Sequence, residues 1–218
     1  MTNLQLCLYE FISIYIAQFI AELITQLLYH QKQTNNYLSN IVFSSIYILI
    51  FAAMNNIRLT EMFPKQHFTL FMVILPLIVL ILNEKSISFN RNFINSVIVE
   101  SFSAAIVEEA LFRKIIPSNF TNKFIGIIVS GILFSIIHIK SLSIDVNLLY
   151  RLITTSMLFN ILMFQVQPNN ILFHFMWNFI TISIFTTPDI SGTTITSLEI
   201  SNTTIILLAI SILIKTIF

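Results

Sequence analysis

Charge is scarce in this chain of 218 residues: 10% are Asp, Glu, Lys or Arg, against 56% hydrophobic. Soluble domains average roughly a quarter charged residues. Too little polar surface is available here to cover a water-facing globule, so a lipid bilayer is the expected solvent. The charges nearly cancel, with a formal net of +1, so the chain offers no basic field for nucleic acid and no pull toward an acidic partner. The lone Cys7 cannot form an internal disulfide, which excludes a stapled fold. Three glycines leave little room for GxxxG helix packing. A signal peptide would open on basic residues before a short apolar stretch. Here the first Lys is Lys32 and Glu10 interrupts the apolar run, so the amino terminus reads as a mature helix. No repeat, strand signal or long hydrophilic stretch appears, which argues for one membrane domain over residues 1–218.

What the chain has in plenty is bulky apolar residues: 21 Phe, many Ile and a mean hydropathy of +0.86. A spanning helix needs about 20 mostly apolar residues. Runs of that kind predict helices near Leu4–Tyr29, Leu38–Met54, Phe68–Leu82, Phe93–Ile116, Phe124–Leu142, Asn147–Phe164, Asn169–Thr186 and Thr204–Phe218. Pro76 should kink the third, and Pro117 should end the fourth. The expected fold is an all-α polytopic transmembrane bundle of about eight spans. Lys and Arg are spread over both sets of loops, so the positive-inside count nearly ties. The Ser/Thr-rich segment 187–203 has no Lys or Arg and is expected outside, which puts both termini in the cytoplasm.

Ionisable groups within a span are expensive and mark either function or a required pairing. EEALFR on the fourth helix places Glu109 and Arg113 four apart on one face, a pair able to neutralise itself. Glu108 points about 100° away and has no partner on its own helix. FSIIH puts Phe134 and His138 on one face of the fifth helix, and HFMWN does the same for His174 and Asn178 on the seventh. A carboxylate, two imidazoles and a carboxamide thus come from three helices. Taken singly, each has a plainer reading: His138 as an interhelical contact, Glu109–Arg113 as structure, Trp177 and Phe134 as packing. Glu10, Glu22 and Glu100 are scattered and receive no role, and His30 and His67 fall in connecting segments.

The ordered set EExxxR, FxxxH and HxxxN, each on its own predicted helix, resembles the CAAX protease and bacteriocin-processing family. That family, called Abi or CPBP, includes the type II CAAX prenyl endopeptidases. The resemblance covers residues 93–187 and implies a catalytic core there. It implies that Glu108 and His138 activate a water to attack a peptide carbonyl, while His174 and Asn178 stabilise the oxyanion. Glu109, Arg113 and Phe134 would support them from behind. Hydrolysis needs such a base and such donors. The same atoms of Glu108, His138 and His174 also form a two-His, one-carboxylate set like that of catalytic zinc sites, although no HExxH occurs. The reading adopted is a mechanism without a bound metal.

The implied function is an endopeptidase in the cell membrane of a bacterium, acting on a peptide or membrane-associated protein. The alternative is a non-catalytic bacteriocin-immunity or regulatory membrane protein of the same fold. A proton-coupled carrier would show two similar halves, and none is seen. One geometric demand follows. For Glu108 to meet His138, the fifth helix must start late, near Ile128, or the segment KIIPSNFTNK must dip into the protein.

Overall fold

A computed structural model describes residues 2–29, 36–65, 70–82, 91–138, 146–167 and 169–180. Among them every element is helical and no strand occurs. The chain runs through α1 (Asn3–Tyr29), α2 (Asn36–Met54), the one-turn α3 (Leu59–Met62), α4 (Phe71–Leu82) and α5 (Arg91–Glu109). A π-helical turn (Ala110–Ile115) and a last turn, α6 (Ile116–Ser118), extend α5 without a break. Then come α7 (Lys123–Ile137), α8 (Val146–Gln165) and α9 (Asn170–Asn178). The expected eighth helix, the 187–203 loop, His30 and His67 lie outside the described residues.

The all-helical architecture agrees with the expectation; the span count does not follow from it. Among the described residues, α1 is long and apolar enough to cross a membrane on its own, whereas Leu38–Met54, Lys123–Ile137 and Ile153–Gln165 are apolar but shorter. On α1 the inward face carries Cys7, Ser13, Ile14, Ala17 and Ala21, and the outward face carries Leu4, Leu8, Ile12, Phe19, Leu23 and Leu27. Mostly small residues therefore turn inward and bulky apolar ones outward, the reverse of a water-soluble helix. Close approach of α1 to α2 follows from that small face.

Polar side chains pin the helices to one another. Asn119, just past α6, donates through Nδ2 to Glu10 Oε2 at 2.6 Å. Asn55 Nδ2 donates to Ser13 Oγ at 2.9 Å, and Asn40 Nδ2 to Glu100 Oε1 at 3.1 Å. Glu22 accepts from Gln26 on its own helix at 3.1 Å. Glu10 and Glu100, which had no role by sequence, are thus acceptors between helices.

The π turn has a cause in the sequence. It closes loops one residue wider than an α-helix, as when Ile116 N donates to Leu111 O. The next such bond would run from residue 117 to Phe112 O, but Pro117 has no N–H to give. The hydroxyl of Ser130, on α7, donates to that carbonyl instead. The reversal into α7 is equally tight: a Cβ on Gly126 would lie 2.9 Å from Pro117 Cα and O. Asn122 caps α7 by accepting from Phe124 N at 3.0 Å, so α7 begins at Lys123 and not near Ile128. Of the two routes the sequence left open, the second is partly taken, since Ile116 and Pro117 are buried. Ser130→Ala should leave the Phe112 carbonyl unpaired in the core and cost about 1–3 kcal/mol. Thermal unfolding in detergent reads this, and a melting temperature equal to the parent's would refute the assigned role.

Candidate active site

Glu108 and Glu109 close α5, and their adjacency on a helix sends them to different neighbours. Glu109 turns inward, with a side chain 1% exposed. Two donors and one cation converge on it. His174 Nδ1 lies 2.6 Å from Oε1, Asn170 Nδ2 lies 2.7 Å from Oε2, and Arg113 Nε lies 3.2 Å from Oε2. Asn170 and His174 stand one turn apart on α9, so one helix face supplies both. A buried carboxylate is tolerated only when its charge and lone pairs are met in this way. Arg113 is equally buried; its nitrogens make no well-aligned hydrogen bond, and its charge is met by Glu109 and by the Phe134 face, 4.3 Å from Cζ to the ring centroid.

The Glu109 contact fixes how His174 is used. A carboxylate only accepts, so Nδ1 carries the proton in that bond and Nε2 is turned the other way. There it meets Glu108 Oε2 at 3.6 Å, an ion-pair distance too long for a hydrogen bond. Glu108 Oε2 is occluded and has no hydrogen-bond partner among the described residues, while the side chain as a whole is 15% exposed. Glu108 is the acid with capacity to spare.

His138 ends α7, and its Nδ1 donates to Phe134 O at 2.7 Å. No described residue hydrogen-bonds its Nε2. The Phe134 ring stands between the two imidazoles, 4.6 Å from His138 and 6.2 Å from His174 by ring centroids. Glu108 acts on His138 electrostatically, but the two form no ion pair among the described residues. Its nearer imidazole is His174. Asn178, one turn beyond His174 and half-buried, makes no side-chain hydrogen bond to another described residue.

The structure therefore brings Glu108, Glu109, Arg113, Phe134, His138 and His174 into one cluster from α5, the π turn, α7 and α9. The sequence reading missed Asn170. Its signal was legible: Asn170, His174 and Asn178 form an NxxxHxxxN series along one face. As for a metal, the donor atoms of Glu108, His138 and His174 have suitable chemistry. Among the described residues, however, no three His, Cys, Asp or Glu gather closely enough to hold an ion.

A cavity of about 300 Å³ opens behind Glu109, bordered by Asn170, Arg113, Lys114 and Glu61. At its rim Lys114 Nζ and Glu61 Oε2 pair at 2.7 Å, both half-exposed. The Lys114 hydrogen bond and charge hold the Glu61 carboxyl below its ordinary range.

Residues 90–180 match the family model described as type II CAAX prenyl endopeptidase Rce1-like. Neither the curated proteins nor the solved structures contain a significant match. The cluster of two glutamates and two histidines lies wholly inside the matched segment, so over residues 90–180 the chain is similar to the Rce1-like type II CAAX prenyl endopeptidases.

Proposed function

We propose that this chain is a multi-pass membrane endopeptidase of the CAAX-protease type, cleaving a peptide or a membrane-associated protein with a water activated by Glu108. The single observation that carries this reading is the division between the two adjacent glutamates. Glu109 is saturated by His174, Asn170 and Arg113, whereas Glu108 keeps an unpartnered oxygen beside His174 Nε2. A carboxylate with an unused lone pair in a largely desolvated place is suited to take a proton from water. His138, whose Nε2 is engaged by no described residue, assists from the other side of Phe134. Glu109 orients the His174 ring beside the reacting carbonyl, and the carboxamide N–H of Asn178 donates to the oxyanion. Arg113 meets the Glu109 carboxylate, and the Phe134 ring keeps the two imidazoles apart. The outward bulky face of α1 and the overall composition support a bilayer setting.

The test is direct. Purified protein in lipid nanodiscs should cleave members of a peptide library at defined bonds, equally well with and without a chelator. A library left intact overturns the peptidase reading. Activity lost to the chelator and restored by zinc overturns the metal-free mechanism.

A further inference from the structure

Asn170 opens α9 and belongs to none of the three motifs. Its Nδ2 lies 2.7 Å from Glu109 Oε2, while His174, one turn later on the same helix, holds Oε1 at 2.6 Å. The third contact is of another kind. Arg113 Nε stands 3.2 Å from Oε2, but the guanidinium nitrogens make no aligned hydrogen bond to any described residue. Arg113 therefore supplies charge without direction. The last torsion of a glutamate side chain is broad, so one bond to His174 would leave the carboxylate able to turn. The Asn170 bond to the opposite oxygen removes that freedom. A single helical turn carries both donors, so α9 grips the two oxygens of a carboxylate that comes from α5. The grip is passed on. Glu109 fixes the His174 ring, whose Nε2 lies 3.6 Å from Glu108 Oε2. Asn170 also borders the cavity of about 300 Å³, together with Gln167, Glu61 and Lys114. The space its side chain fills is therefore within reach of a small molecule in that cavity.

We infer that Asn170 is a positioning residue: by holding Oε2 of Glu109, it sets the angle at which Oε1 orients His174 beside Glu108. The inference rests on the peptidase reading above. Asn170 meets neither the water nor the peptide; it acts through Glu109 and then through His174. A misplacement of about 1 Å at a reacting group can cost about 10²-fold in rate. Such a loss concerns alignment at the reacting atoms and not the grip on substrate, so it falls on kcat and spares KM. The carboxamide would then be part of the machinery, one turn ahead of the histidine it serves.

Asn170→Ala should lower kcat by about 10²-fold and leave KM at the parent's value. Formamide carries the group that the substitution deletes and can enter the vacated space from the cavity. It should restore kcat in a saturable way in Asn170→Ala and do nothing for Glu108→Gln. Asn170→Leu refills the volume without a donor, so it should be as slow as the alanine variant. An asparagine that only holds the fold would lower the melting temperature and leave the kcat of the folded protein intact. No hydrolysis by the parent protein overturns both ideas. Hydrolysis abolished by Glu108→Gln yet retained at full kcat in Asn170→Ala overturns the Asn170 assignment alone. A defect confined to KM or to the melting temperature overturns it as well, and so does a loss of kcat that formamide leaves unchanged. Should Asn170→Ala not fold, full kcat in Asn170→Leu is the overturning result.

Discussion

Replacing Glu108 by Gln is expected to give a folded protein whose hydrolysis is slower by about 10²–10⁴-fold, the usual worth of a positioned base. The amide keeps the shape of the carboxylate but cannot hold the water's proton. Folding should scarcely notice, because Glu108 Oε2 accepts no hydrogen bond from any described residue that the substitution could break. The neighbouring His174 ring, with Nε2 at 3.6 Å, is already engaged through its other nitrogen by Glu109. The measurements are initial rates on reconstituted protein and a melting curve on the same preparation. Full activity in the variant would sink the proposed chemistry. A melting temperature far below the parent's would instead show Glu108 to be structural.

The larger effect on stability belongs to its neighbour. Glu109→Ala removes the shared acceptor of His174, Asn170 and Arg113 in one step. Arg113, with a side chain 1% exposed, would be left as a buried charge facing only the Phe134 ring. Breaking one side of a buried ion pair costs about 3–5 kcal/mol. That is a large part of the ~5–15 kcal/mol by which a typical fold is stable. At roughly 2–4 °C per kcal/mol for a chain of this size, the melting temperature should fall by more than 6 °C. Glu109→Gln preserves one good acceptor and should lie between the parent and Glu109→Ala. An alanine variant that melts with the parent would mean that the cluster does not hold the helices together.

Much of this arrangement was legible in the sequence, for a physical reason. Charge within an apolar run is so costly that its positions stand out, and helical spacing says which of them share a face. The Glu109–Arg113 pair and the shared face of His174 and Asn178 follow from spacing alone. What spacing cannot give is the pairing between helices. The sequence coupled Glu108 with His138, yet the carboxylate stands nearer His174, because α9 delivers that ring between both glutamates. Asn170 was passed over because an asparagine at a helix start reads first as a cap. The π turn was hidden too, since Pro117 signals an end to the helix and the chain instead widens before it. Ser130, the residue that makes the widening tenable, is eighteen positions from its acceptor. The span count resisted for the opposite reason: apolar runs such as Lys123–Ile137 are short enough to be read either as spans or as buried core.

The unlike surroundings of two identical side chains at 108 and 109 have a consequence for inheritance. Under the proposed function, a lesion at Glu108 should leave a well-folded protein at normal abundance, able to occupy substrate without releasing it cleaved. Expressed beside an intact copy, it should interfere, and the trait would behave as dominant. A lesion at Glu109 yields a chain that unfolds and is cleared by cellular proteases, as happens when stability drops by a few kcal/mol. That copy competes for nothing, and the intact one would mask it.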